Sequence, residues 1–300
     1  MINRLQVASP LIYQSNYSFA AKSLKLIKIR MKAVESIKKI TKAMKMVAAS
    51  KMKQDVTRLE KAKTFGVGSI DKIFRSETYM HKKVSPPAVK KTLLVPFTTD
   101  KGLCGGTNSN IVREIKSMVK VDRSSYKIFI VGDKGSVALA RPMPDLMEEA
   151  VTQLITPMNF PTAAAIGQQI LRNANECDKM LFIYNEFKNV ISQIQRKVEV
   201  MSKTQFINNF KYIVKHDPEE SELPHMAEFF YEFYLSTIVY HSLLNNIASE
   251  QSARMNAMEN ASKNAGEILE TLTLDYNKAR QAKITMELCE IISGAAAVWF

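Results

Sequence analysis

Three hundred residues, 46 % hydrophobic and 24 % charged, are enough chain for a folded core in one or two domains. No run of 18 apolar residues occurs, which argues against a membrane-spanning helix. Forty-two Lys and Arg against 29 Asp and Glu leave a net charge of +13, a surplus that calls for an acidic partner, an organellar address or both.

The first acidic residue is Glu35. Before it stand Arg4, Lys22, Lys25, Lys28, Arg30 and Lys32, interleaved with Ser9, Ser15, Ser18, Leu5, Leu11 and Phe19. A basic, Ser-containing, acid-free start of this kind reads as a mitochondrial transit peptide over residues 1–21, with cleavage near Phe19 to Lys22. Residues 22–84 form the next region, with a helix expected from Leu24 to about Phe74. Its seam is read as Val34, Ile37, Thr41, Met44 and Ala48, and Lys38, Lys42 and Lys45 share one flank.

Ser85-Pro86-Pro87 ends that region and opens a central one, 85–222, in which strands and helices alternate. Expected strands are Thr92 to Phe97, Tyr126 to Val131, Met180 to Tyr184 and, more exposed, Val190 to Met201. Helices are expected over Asn108 to Val119, Lys134 to Ala140 and Ala163 to Asn175. The alternation predicts a small α/β domain with parallel pairing. His216 to His225 reads as an acidic surface loop.

The last region, 223–300, has no proline after Pro224 and only two glycines, Gly266 and Gly294. Met258, Ala261, Ala265, Ile268, Leu272, Asp275, Ala279, Ala282, Met286 and Cys289 alternate spacings of three and four. This repeat predicts a left-handed coiled coil with a close partner helix. The fold class is therefore α/β: a long antiparallel coiled coil of the N- and C-terminal helices with a central Rossmann-like α/β domain.

Catalytic motifs are sparse. Asp100 to Thr107 (DKGLCGGT) lies between a strand and a helix, where backbone N–H groups can cradle an anion. It matches neither the Walker pattern nor the dinucleotide spacing, so a tight turn or contact loop is favoured. Cys104 sits near Lys101, which would lower a thiol pKa, but no histidine lies nearby in sequence to activate it. Cys104, Cys177 and Cys289 have no metal or disulfide spacing, and no cofactor or metal is expected. The residues by themselves read as a non-enzymatic, basic, coiled-coil protein. One alternative is a nucleic-acid-binding or scaffolding role, although the basic helix lacks interleaved aromatics.

Three segments carry a resemblance. Ile40 to Lys51 (ITKAMKMVAASK) resembles the N-terminal helix of the γ subunits of F-type ATP synthases. Thr99 to Gly106 (TDKGLCGG) is similar to that family's turn. Ser249 to Met255 (SEQSARM), Asn260 to Ala265, Tyr276 to Ala282 (YNKARQA) and Ile291 to Ala297 (IISGAAA) resemble its C-terminal helix. The resemblance implies a non-catalytic central-stalk rotor that couples proton-driven c-ring rotation to ATP synthesis on the β subunits. It implies as partners the α and β subunits, the δ and ε stalk subunits and the c-ring, with no nucleic acid. The location implied is peripheral, on the matrix side of the mitochondrial inner membrane. It also implies that Lys42, Met44, Lys45 and the Cys104 turn lie near an acidic loop of β, and that Arg280 and Gln281 meet a catch loop. Ile291, Ile292, Ala295, Ala296 and Ala297 would form a slim apolar tip in a bearing. The sequence departs from the family at Thr107, where many members carry a bulkier residue, and at Trp299-Phe300, where the tip is usually small.

Overall fold

A computed structural model describes residues 24–63, 91–207 and 223–298. The transit-peptide expectation, the end of the first helix beyond Lys63, the acidic loop around Glu219 and the terminal Trp299-Phe300 lie outside these residues. Contacts divide the chain into two units, residues 45–257 and residues 1–44 with 258–300. Two helices, α1 (Leu24–Ala62) and α5 (Leu223–Val298), contribute to both.

The unit of residues 45–257 is built on a five-stranded sheet of order β3-β2-β1-β4-β5. Its strands are β1 (Thr92–Pro96), β2 (Tyr126–Val131), β3 (Met147–Val151), β4 (Lys179–Phe187) and β5 (Gln193–Met201). The first four pair in parallel, and β5 closes one edge as an antiparallel hairpin with β4. The parallel crossovers are made by α2 (Thr107–Val121), α3 (Asp133–Ala140) and α4 (Phe160–Asn173).

Alternation along β1 sorts two cores, because successive strand residues point to opposite faces. Leu93, Val95 and Phe97 face α4, the buried part of α5 and the end of α1, where Leu59, Ala163, Ile166, Tyr231 and Leu244 pack. Leu94, with Ile128, Ile130 and Ile183, faces Ile111, Ile115 and Val119 of α2 and Leu139 of α3. A sheet covered on both faces explains why β1 and β4 read as apolar runs instead of alternating ones.

β3, with the sequence MEEAV, was not expected. It is a half-exposed edge strand, and its two glutamates hide the alternation that marks a strand. Gly132 shows why α3 follows β2 so tightly. Its φ is +107°, and a Cβ there would lie 2.6 Å from the Thr98 backbone, so only glycine fits.

In the other unit α1 and α5 lie side by side: Lys38 Nζ is 3.3 Å from the place a Cβ on Gly266 would take. Ile27, Thr41, Met258 and Ala265 are buried there. The expected seam is corrected at six positions: Ile37, Ile268, Asp275, Ala282, Met286 and Cys289 are all exposed. Ile37 is 52 % exposed and Ile268 51 % exposed; the half-buried Leu269 takes the inward row next to Ile268, and Lys38 is exposed, with only its Nζ reaching over Gly266. On a helix the i+3 and i+4 rows flank the same stripe, so the partner decides which is covered. Asp275 is likewise exposed, and Tyr276 is half-buried.

Candidate functional site

The turn after β1 is held by its own side chains. Asn108 donates through Nδ2 to Thr99 Oγ1 at 2.7 Å and to Cys104 Sγ at 3.4 Å, and its Oδ1 accepts the Thr99 N–H at 3.1 Å. Thr107 Oγ1 donates to the Cys104 carbonyl at 2.6 Å and accepts from Gln193 Nε2 at 3.2 Å. Thr107, the departure noted above, thus links the turn to β5. Gly105 has φ +61° and Leu103 has φ +63°, and Leu103 presents its side chain outward, 62 % exposed. The Cys104 thiol is 3 % exposed and points inward. Any contact made by this turn therefore goes through Lys101, Leu103, Gly105 and Gly106, all exposed, and not through the thiol. Asp100 turns the other way. Its carboxylate accepts backbone N–H groups from Asp133, Gln153 and Leu154 at 3.0, 3.2 and 2.8 Å, tying β1 to the start of α3 and the end of β3.

In an open α/β sheet, ligands bind in the crevice at the carboxyl ends of strands where the strand order reverses. Here that crevice lies between β1 and β4, and α5 fills it with a polar row. Asn246 Nδ2 donates to the Thr98 carbonyl at 3.1 Å, and its Oδ1 accepts from Asn185 Nδ2 at 3.2 Å. Ser249 Oγ donates to the Asn185 carbonyl at 3.0 Å. Ser252 Oγ and Asn256 Nδ2 both donate to the Val190 carbonyl, at 2.7 and 2.8 Å.

Arg254, 8 % exposed, completes the row. Its guanidinium donates to the carbonyls of Lys101 at 3.3 Å and Gly102 at 3.2 Å, and pairs with Glu250 one turn earlier. Burial pushes the Glu250 carboxyl above the usual carboxylate range, and the neighbouring Arg254 draws it part of the way back. Buried polar groups demand partners, so this row fixes the rotation of α5 against the sheet. In the sequence, Ser249 to Met255 stands out only as a family segment. The available signal was the recurrence of Asn, Ser and Arg at helical spacing on an otherwise apolar stretch.

The remaining expected residues are spread along the two long helices. Lys42 is exposed, while Met44 and Lys45 are half-buried. Arg280 and Gln281 are neighbours on α5 and both exposed. Ile291 and Ile292 are 68 % and 64 % exposed, and Ala295, Ala296 and Ala297 are exposed as well. From Gln281 to Ala297 every residue of α5 is exposed, so no described residue covers it. Among the described residues no cluster of His, Cys, Asp and Glu is arranged to hold a metal ion, and no helix is long and apolar enough to cross a membrane.

The sequence profile of the family described as ATP synthase matches residues 23–298. The chain is 34 % identical to the mitochondrial ATP synthase subunit gamma of Drosophila melanogaster, over 99 % of each chain. It is 35 % identical to that of the rat, over 92 % of this chain and 99 % of the other. Among solved structures it resembles a chain in the central stalk and c-ring of the Tetrahymena thermophila mitochondrial ATP synthase. There the identity is 50 % and the TM-score 0.69, covering 74 % of this chain and 99 % of that one. A Euglena gracilis mitochondrial ATP synthase chain, 23 % identical, shares the fold with a TM-score of 0.73 over 92 % of this chain and 94 % of that one. None of these similarities speaks for the nucleic-acid alternative.

Proposed function

The chain belongs to the γ-subunit family of ATP synthases, and on that premise we propose that it is the non-catalytic rotor of a mitochondrial enzyme. It would couple proton-driven rotation of a c-ring to ATP synthesis on β subunits. The partners proposed are the α and β subunits around the long helices, and the δ and ε stalk subunits and the c-ring at the α/β domain. The location proposed is peripheral, on the matrix side of the inner membrane. The domain division proposed is the one read from sequence, with a transit peptide over 1–21.

The observation that carries this reading is the continuity of α5. One helix of 76 residues is hydrogen-bonded to the sheet through Asn246, Ser249 and Arg254, and leaves residues 281–297 bare. At about 1.5 Å per residue it spans roughly 114 Å. Torque applied to the α/β domain enters α5 through fixed hydrogen bonds, and the bare end is free to meet other polypeptides. A single asymmetric shaft makes otherwise equivalent sites unequal only where its contacts differ between their states.

Within this reading Lys42, Met44, Lys45 and the exposed side of the Cys104 turn face an acidic loop of β. Arg280 and Gln281 meet a catch loop. Ile291, Ile292 and Ala295 to Ala297 form the slim tip, where small side chains suit a sliding fit. Arg280→Ala is expected to lower coupled ATP turnover while leaving the melting temperature of the chain within about one degree, since an exposed substitution changes stability by less than about 0.5 kcal/mol. Unchanged turnover in the assembled enzyme would remove Arg280 from the contact.

The assignment itself is tested on a native gel of detergent-solubilised mitochondria with an epitope tag on this chain. Tag and in-gel ATPase activity are expected to migrate together, and the activity band to disappear on depletion. A tag found only as a small free species, with intact ATPase bands after depletion, would overturn it.

A further inference from the structure

Building on the rotor reading, we propose that Asp100 is a positioning residue for coupling: its carboxylate fixes the direction in which the turn after β1 presents Leu103. Among the described residues, Leu103 and Gln153 are the only non-glycine residues in the left-handed region, with φ of +63° and +57°. A side chain disfavours that backbone conformation, which persists only where the surrounding structure over-determines it. Both residues lie on the two segments that Asp100 joins, the turn after β1 and the loop after β3.

The turn is gripped from three directions. From α5, Arg254 donates to the carbonyls of Lys101 and Gly102, the two residues before Leu103. From α3, the Asp133 N–H reaches the Asp100 carboxylate at 3.0 Å, and the Lys134 N–H reaches the Thr99 carbonyl at 3.0 Å. From the loop after β3, Gln153 and Leu154 donate their N–H groups to the same carboxylate at 3.2 and 2.8 Å. Within the turn, the Thr99 hydroxyl donates to the Lys101 carbonyl at 2.7 Å. Leu103, held between these ties, is left pointing outward, 62 % exposed.

Acceptor count, and not volume, is what this position requires. Oδ1 of Asp100 accepts from Asp133 and Gln153, and Oδ2 accepts from Leu154. An ionised carboxylate only accepts, and all three partners are donors. An asparagine of the same size has one acceptor oxygen, and its NH2 group would meet at least one of these N–H groups donor to donor. With those ties loosened, Arg254 still holds Lys101 and Gly102. The turn would therefore remain, and the direction of Leu103 would change.

The test is a double-mutant cycle in the assembled, membrane-bound enzyme with Asp100→Asn and Leu103→Ala, reading coupled ATP synthesis per assembled complex. Each single variant is expected to lower synthesis about fivefold, and Asp100→Asn to cause no further loss in the Leu103→Ala background. Losses that multiply would show that Asp100 does not act through Leu103. Full synthesis in either single variant, or a loss that only follows the amount of enzyme assembled, would also overturn the role. If Asp100→Asn does not assemble, Gln153→Gly is added to it, since glycine adopts the left-handed conformation freely. That double variant is expected to assemble and to stay poorly coupled, and wild-type coupling in it would overturn the proposal. A failed rotor reading shows itself separately, as wild-type chain that does not migrate with the ATPase.

Discussion

Two stretches of one helix, Tyr231 to Asn256 and Gln281 to Ala297, have the same backbone and opposite surroundings. In the first, Tyr231, Leu235, Val239, Leu243, Leu244 and Ala248 are buried in the core, and Asn246, Ser249 and Arg254 are hydrogen-bonded to strand ends. In the second, every residue is exposed, including Ile291 and Ile292. Helical form is therefore a poor guide to what holds a helix in place. The first stretch is fixed by tertiary packing. The second depends on helix-forming residues such as Ala, Leu, Met and Glu, and on whatever polypeptide covers it.

The comparison breaks most sharply at Arg254. Arg254→Ala would leave Glu250 buried without its partner and free the Lys101 and Gly102 carbonyls. A loss of about 3–5 kcal/mol is expected in thermal or urea unfolding of the purified chain. A loss below about 1 kcal/mol would show that water replaces the pair. Leu244→Ala against Ile292→Ala is the paired measurement. The buried leucine, 2 % exposed, is expected to lose about 2–5 kcal/mol, and the exposed isoleucine less than about 0.5 kcal/mol. Equal losses would mean that the end of α5 is covered by this chain itself.

The coil between these stretches gives an intermediate case. Ala265, 5 % exposed, faces α1 more tightly than the half-buried Ala279. Ala265→Phe is expected to cost about 1–3 kcal/mol and Ala279→Phe less, read from their melting curves. The reverse order would place the closest approach of the helices nearer Ala279.

The smallest effect at neutral pH concerns Tyr184, whose ring lies edge-on to His241. Burial pushes its phenol up to about 12 from 10.0. Because the folded value is the higher one, the unfolded chain loses its proton first. Stability is then full below pH 10 and falls as pH rises towards 12, by about 1.4 kcal/mol per unit. Tyr184→Phe is expected to flatten that alkaline limb in pH-dependent melts and to change little at pH 7. An unaltered limb would assign it to other groups.

Much of this was legible along the chain. The Tyr126 to Val131 strand appears as read, and the segments ITKAMKMVAASK and TDKGLCGG pointed to the family that residues 23–298 match. The inward rows of the coil were half legible. Met258, Ala265 and Leu272 lie inward as the spacing predicts, but Ile37, Ala282, Met286 and Cys289 are exposed and Leu269 lies inward in place of Ile268, because hydrophobicity is the only guide the sequence offers. β3 was missed because Glu148 and Glu149 interrupt its pattern.

The sequence by itself determined most of the helices and strands, β3 excepted, since periodicity and breakers act over a few residues. It also carried the family. The tertiary structure decided which way side chains face: Cys104 inward, Leu103 outward, and Arg254 buried on the carbonyls of Lys101 and Gly102. Those carbonyls lie more than 150 residues away in sequence. A buried cation is stable only where such partners converge, and that convergence exists only once the chain has folded.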